Sequence, residues 1–358
     1  RKAAEHLADH WGVERVAVTR TAPGRITVRA VRTDPLTIPL TASTPRGPVD
    51  PAFFPLGIDE HGEVRGLRFR GVSGYGVYGI PGSGKTSLLL GLIAHYAECP
   101  EVQFVVLDGK TSTGLDGDYY DVADRCAAVT GDDLGQANTL LHQISALRRI
   151  RSGTIRPTLG TPNLWDVGPS PAWPLVIVIV DECHTYFQQI RDGGDKRLKE
   201  RNALAAENVL LVEDLAKKGR SVGVLVIPAT QKGTGDAIPT QIRDVLTGAV
   251  CFATRSDAAA VAALGEDIRQ HPEAHPSQYV GEAYVGVATV TAGGREGFLR
   301  IRTPYCSPLT AAAAVERGAH LTARPDVLPG LTEGQAHRTA IAWHTTEVPG
   351  ESPGRVGD

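Results

Sequence analysis

Three short stretches carry residue types that do chemistry together. The first is Gly79-Ile80-Pro81-Gly82-Ser83-Gly84-Lys85-Thr86, followed by Ser87, which fits G-x-x-x-x-G-K-[ST] without a mismatch. Glycines in such a loop let successive backbone N–H groups turn inward around an anion, and the helix that follows adds the positive end of its dipole. Gly79, Gly82, Ser83, Gly84, Lys85, Thr86 and Ser87 are the expected contacts to ATP. Lys85 is the catalytic cation for the β- and γ-phosphates, and the Thr86 hydroxyl is a ligand for Mg2+. The second stretch is Asp181-Glu182 at the end of an apolar run. Asp181 is the other metal ligand, and Glu182 is the base that polarises the water attacking the γ-phosphate. An acid directly after the metal-binding Asp points to hydrolysis rather than transfer to an acceptor. The third is Gln231, after Pro228-Ala229-Thr230, placed to hydrogen-bond the γ-phosphate or the attacking water.

These residues need a scaffold that delivers them to one edge. From residue 71 onward, apolar runs alternate with glycine-rich turns and helical patterns. Buried strands are expected at 72–78, 102–107, 175–180, 222–227 and 249–253, and helices at 87–97, 135–150, 203–218 and 258–264. That alternation predicts an α/β fold with a parallel central sheet, whose crevice lies at the C-terminal strand ends. The expected organisation is a small α+β unit over 1–70, the main domain over 71–305 and an Ala/Pro/Gly-rich tail over 306–358. Within the leading unit, 3–10 reads as a helix, 13–19 and 25–31 as strands, and 35–55 as a Pro-rich connector. Residues 152–173 read as a long loop.

With 358 residues the chain has ample length for a buried core, and 22% charged residues exclude a disordered polyelectrolyte. Its 37 basic and 40 acidic residues give a net charge of −3, which excludes a strongly basic coat but not a local basic path. No apolar run approaches the ~20 residues a membrane helix requires. The five cysteines (Cys99, Cys126, Cys183, Cys251 and Cys306) include no Cys-x-x-Cys pair, which argues for a reduced cytoplasmic setting without structural zinc. The sequence contains no Met and is expected to be a processed or excised piece.

The stretches GIPGSGKTS (79–87), LDGK (107–110), IVIVDE (177–182) and LAKKGRSVGVLVIPATQK (215–232) occur in an order that resembles the FtsK/SpoIIIE family of DNA-pumping ATPases. The nearest flavour is the TraB-type conjugative translocases of actinobacterial plasmids. The resemblance covers about residues 55–305. It implies a RecA-like P-loop NTPase that forms a homohexameric ring around double-stranded DNA, in conjugative transfer or chromosome segregation, with a membrane tether N-terminal to the motor in many members. Lys232 stands where the family has Arg after Ala-Thr-Gln. A Thr-Arg pair common in the family is replaced here by Gly248-Ala249. Arg220, Arg243 and Arg255 are the candidates for a finger reaching the neighbouring subunit's γ-phosphate, with Arg243 carried as the catalytic candidate. Asp108 and Lys110 match a family Asp-x-Lys, to which a structural or subunit-coupling role is assigned.

A ring motor needs positive charge only on its channel wall. Residues 191–201 (RDGGDKRLKER) hold five bases and three acids around two glycines. Lys196, Arg197, Lys199 and Arg201 are expected to form a pore loop gripping DNA phosphates, with Lys232 in a second candidate turn at 232–236. Arg148, Arg149, Arg151 and Arg156 suggest a subunit interface or helix end. Residues 98–135, with nine acids against two bases, suggest an outer face away from DNA. Cys183 and His184 read as packing residues. Two rival functions share the motifs: a type VII-like secretion ATPase moving proteins, which ordinarily carries several ATPase modules in tandem, and a non-catalytic nucleotide-binding scaffold, against which the intact Lys85, Thr86, Asp181 and Glu182 argue.

Overall fold

The segment Leu175–Asp181 reads LVIVIVD, apolar until its last residue, and every position in it is buried. A strand of that composition must be covered on both faces, and the sheet around it supplies the cover. The computed structural model describes residues 2–191, 193–231, 237–291 and 297–331. The elements are α1 (Lys2–Trp11), β1 (Arg15–Ala22), β2 (Arg25–Val31), β3 (Phe53–Asp59), β4 (Val64–Arg68), β5 (Tyr75–Tyr78), α2 (Lys85–His95), β6 (Val102–Asp108), β7 (Cys126–Thr130) and α3 (Leu134–Leu159). They continue with β8 (Leu175–Asp181), α4 (His184–Phe187), α5 (Lys196–Lys218), β9 (Val224–Thr230), α6 (Thr240–Arg243), β10 (Gly248–Cys251), α7 (Asp257–Leu264), β11 (Val287–Thr291), β12 (Phe298–Arg302) and α8 (Pro308–Gly318).

Ten strands form one sheet in the order β4-β3-β12-β11-β10-β5-β9-β8-β6-β7. The run from β10 to β7 is parallel throughout, as the alternating pattern predicts. An antiparallel wing of β11, β12, β3 and β4 extends the sheet beyond it. Along β8, Leu175, Ile177 and Ile179 pack into the layer with α2, while Val176, Val178 and Val180 pack into the layer with α3 and α5. Two cores, one on each face, follow directly from the strand's period of two.

Several boundaries differ from the sequence reading. The hairpin β3–β4 belongs to the main sheet, so a division at residue 70 would cut the wing from its partners. Its composition concealed it: Pro55 sits at a register shift, where a missing N–H is tolerated. The leading α+β unit therefore reduces to α1 and the β1–β2 ribbon. Helix α3 runs through Pro157 to Leu159 and stops at Gly160 (φ 73°), so its last two turns occupy part of the expected loop. Helix α5 begins at Lys196, capped by Asp195, inside the expected pore loop. The expected tail supplies α8, which covers α2. That explains why α2 buries Leu88, Leu89, Leu90, Leu92 and Ile93, more than one helical face. The part of that tail from 332 to 358 lies outside the described residues. Among the described residues no helix is long and apolar enough to cross a membrane.

Arginines in the interior brace this arrangement. Arg125 is fully buried and donates to the carbonyls of Ala97, Cys99 and Val102 and to Gln103 Oε1. Arg151 donates to Pro174 O, Val222 O and Gly223 O and stacks 5.2 Å from the centre of the Trp173 ring. Burial lowers the Arg151 pKa to about 9. Arg148 pairs with Asp214 of α5. Two members of the expected interface cluster are thus internal struts, while Arg149 and Arg156 are exposed.

At the C-terminal end of α8 a Cβ on Gly318 would lie 1.8 Å from Ala97 O, just past the end of α2, a backbone atom that cannot move aside. Gly318→Ala should destabilise the chain by about 2 kcal/mol or more, in the range of overpacked sites, and lower its melting temperature by several degrees. Calorimetry of the two proteins checks this.

Candidate active site

The turn from β5 into α2 places residues 79–84 at the C-terminal edge of the parallel strands, where open α/β sheets bind ligands. Gly79 and Gly84 have φ of +151° and +121°, values that L side chains rarely adopt. A Cβ on Gly79 would also lie 2.6 Å from Ser83 Oγ and 2.7 Å from Phe252 Cβ. Only glycine lets the loop curl this tightly. Ser83 Oγ donates to Ile80 O at 2.7 Å, closing the curl. Lys85 Nζ donates to Gly79 O at 2.6 Å and Ile80 O at 3.1 Å, so the ammonium sits inside the loop. Burial lowers its pKa to about 8, against the opposing pull of Asp181 and Glu182. This is a poorly solvated cation held inside a tight glycine-rich turn, a position suited to meeting a phosphate. The Ser87 hydroxyl faces elsewhere and accepts from Cys306 N at 2.8 Å.

Strand β9 lies between β5 and β8. Gln231, just past its end, is therefore held between the phosphate loop and the acids. Its backbone N–H donates to Glu182 Oε1 at 3.3 Å. With Gly79, Ile80, Pro81, Arg243 and Arg255 it lines a 180 Å³ cavity beside the loop.

Glu182 is the one non-glycine with positive φ (48°) among the described residues. Its N–H donates to Asp181 Oδ1 at 2.9 Å as the chain reverses at the strand end. Such a conformation costs on the order of 1 kcal/mol and persists where the surroundings impose it. His184 Nδ1 lies 2.9 Å from Oε1, off the line of a good hydrogen bond, while Oε2 is buried without a partner. An orphaned buried carboxylate oxygen is a place for a water or a substrate hydrogen. Burial pushes the carboxyl upward, but His184, the Gln231 amide and Lys85 outweigh it and hold the pKa below the ordinary value. Glu182 is therefore ionised at neutral pH and able to take a proton. The expectation that His184 only packs is corrected: it stands against the base, and its spacing two residues after the acid was the available signal.

Asp181 ends β8 in register with Asp108 at the end of β6, and both are completely buried. Asp181 Oδ2 accepts from Lys110 Nζ at 2.8 Å and from the Tyr119 hydroxyl at 3.1 Å. Lys110 Nζ also reaches Thr86 Oγ1 at 3.2 Å and Asp118 Oδ2 at 3.4 Å. One cation thus touches both oxygens assigned to magnesium, so Thr86 and Asp181 fit a metal ion completed by phosphate oxygens. Asp108 accepts from Lys110 N and from the Thr111 hydroxyl, and burial together with Asp181 raises its pKa to about 6. Tyr119 had no motif to mark it. Cys99 precedes β6 and Cys126 begins β7, at the opposite, N-terminal strand ends, and burial pushes both up to about 12.

The remaining predicted residues are scattered. Arg243 donates to Ala262 O at 2.6 Å and Thr240 Oγ1 at 2.8 Å, anchored to its own chain beside the same cavity as Gln231. Reaching a neighbouring subunit would require breaking both bonds. Arg255 is exposed at that cavity, and Arg220 is exposed at the other end of β9. Lys196, Arg197 and Lys199 are exposed on the first turn of α5, a helix rather than a loop. Arg201 is tied inward to Gln188 O at 2.7 Å. Lys232 lies outside the described residues.

No protein-family model and no curated protein matches this sequence. Solved structures match by shape. The pCW3 conjugation coupling protein TcpA, in its monomer form with ATPγS, gives a TM-score of 0.63 at 14% identity, covering 88% of this chain and 85% of that one. The cytoplasmic domain of the Thermomonospora curvata type VII secretion ATPase EccC gives 0.55 at 18% identity, over 76% of this chain and 32% of that one. ATPases 2 and 3 of EssC from Geobacillus thermodenitrificans give 0.54 at 13%, over 79% and 51%. The chain thus spans about a third and a half of these two secretion ATPase structures. The fold is that of P-loop ATPases, α/β with a largely parallel central sheet.

Lys85→Ala should weaken binding of an ATP analogue at least about tenfold, or roughly 1.4 kcal/mol. Calorimetric titration reads the loss, and melting should be little changed because a desolvated ammonium is removed.

Proposed function

We propose that this chain is an ATP-hydrolysing motor of the FtsK/SpoIIIE type, TraB-like in flavour, that moves double-stranded DNA through a ring of six identical subunits.

 The observation that carries the reading is Glu182: an ionised carboxylate with one buried, unpartnered oxygen, held between Lys85 and the Gln231 amide at the edge of the phosphate cradle. In the proposed step, Glu182 Oε2 accepts a proton from the attacking water, a new oxygen–phosphorus bond forms on the γ-phosphate, and the bond to the β-phosphate breaks to release ADP. Lys85 holds the phosphate oxygens, and Gln231 stands where a change at the γ-phosphate can be sensed. Thr86 and Asp181 would hold a magnesium ion, which would supply positive charge against the phosphates.

Two observations favour DNA as the cargo. The conjugation coupling protein is covered over 85% of its length, whereas the two secretion ATPases are covered over a third and a half of theirs. Lys196, Arg197 and Lys199 also crowd the N-terminal turn of α5, where the helix dipole is already positive. Like charges there oppose the helix, and a phosphate backbone relieves them. Double-stranded DNA and further copies of the chain are the proposed partners, ATP and Mg2+ the cofactors, and the cytoplasm the setting, in plasmid transfer or chromosome segregation. Transport of proteins by the same site is the alternative that the secretion ATPases support.

An ATPase assay with and without duplex DNA tests the reading. Glu182→Gln should lower turnover by about 10²–10⁴-fold while nucleotide binding persists. In the triple variant Lys196→Ala, Arg197→Ala and Lys199→Ala, DNA stimulation should be lost, and the salt slope of DNA binding should fall by about 2–3. Parental stimulation and slope in that variant would remove the DNA reading and favour protein cargo.

A further inference from the structure

Lys110 does something that the hydrolysis reading leaves unused. Its ammonium lies between the Asp181 carboxylate at 2.8 Å and the Thr86 hydroxyl at 3.2 Å, the two oxygens that fit a metal ion. Asp181 is completely buried, and a buried carboxylate without a counter-charge is costly by several kcal/mol. In this structure that counter-charge is Lys110. The Tyr119 hydroxyl takes up a further hydrogen-bonding position on the same oxygen, Oδ2. A divalent ion entering the position would stand within a few ångströms of the ammonium, and like charges at that separation repel. A second acceptor is already in reach: Asp118 Oδ2 lies 3.4 Å from Lys110 Nζ, and its side chain is 47% exposed. Asp118 follows a loop organised by Asp116, which accepts from the N–H groups of Ser112 and Thr113.

We propose that Lys110 is an internal counter-ion that fills the metal position between Thr86 and Asp181 in the nucleotide-free chain, and that it is displaced to Asp118 when the metal–nucleotide complex enters. The displacement couples occupancy of the site to the loop over 111–118. No bond is made or broken; one cation replaces another. The inference rests on the nucleotide-site reading above, and it makes Lys110 a positioning residue rather than a catalytic one.

The test uses the full chain without nucleotide and Mn2+ as the probe, read by loss of the free-ion electron paramagnetic resonance signal. The parent should bind Mn2+ alone weakly and Mn2+ with ADP tightly. Lys110→Met should bind Mn2+ alone at least about tenfold more tightly than the parent. Mn2+ should raise the melting temperature of that variant more than that of the parent. Adding Asp181→Asn to Lys110→Met should abolish the gain. Equal Mn2+ affinity in parent and variant, or a gain that survives Asp181→Asn, overturns the proposal. Lys110→Gln, which keeps a polar side chain, repeats the comparison should the Met variant fail to fold. A nucleotide-free parent that already binds Mn2+ as tightly as with ADP also overturns it. A parent that binds no Mn2+ with ADP would instead sink the nucleotide reading itself, so the two failures are distinguishable.

Discussion

The carboxylate of Asp181 is buried at the end of a strand with no polar residue before it, and much of the molecule is arranged to make that possible. Strand β8 can be apolar on both faces because α2 covers one and α3 with α5 covers the other. Its polar terminus then meets the polar termini of its parallel neighbours at a single edge, since parallel strands end together. There the Lys110 ammonium, the Tyr119 hydroxyl and the Glu182 N–H satisfy Asp181, and each comes from a different part of the chain's local geometry. The same edge carries the phosphate loop from β5 and Gln231 from β9. Sheet order therefore sets the arrangement: with β9 between β5 and β8, the glycine loop, Gln231 and Glu182 stand side by side.

Much of this was legible in the residues. The glycine loop, the acid pair and the apolar strands announce themselves because their physical requirements are local: a positive φ, a desolvated strand, a helix start. What escaped was set by contacts distant in sequence. The β3–β4 hairpin joins the sheet through β12, more than two hundred residues away, and its Pro and Gly content looks like a connector until the partner strand is present. Helix α8 reads as a tail because its alanines form a small apolar face that has meaning only against α2. His184, Tyr119 and Lys110 gain their roles from which strand ends are adjacent, a fact that no spacing along one strand encodes.

Charge illustrates the same division. Composition shows near balance, and the arginines at 148–156 look like a surface cluster. In the fold, Arg151 and Arg125 are structural members that donate to strand-end carbonyls, with burial lowering both pKa values. Arg149 and Arg156 remain exposed, as do Lys196, Arg197 and Lys199 at the start of α5. Arg243, read as a residue acting across subunits, is committed to its own chain beside the cavity that Gln231 lines. The glycine loop, Thr86, Asp181 and Glu182 are brought together at one sheet edge within one chain.

The most direct test of this account is a structure of the chain with magnesium and a slowly hydrolysed ATP analogue. The account predicts the β- and γ-phosphates inside the 79–86 loop, the metal on Thr86 and Asp181, and Glu182 Oε2 facing a water in line with the γ-phosphorus. A triphosphate bound away from this loop, or a Glu182 carboxylate turned from the γ-phosphate with no water between them, would contradict it.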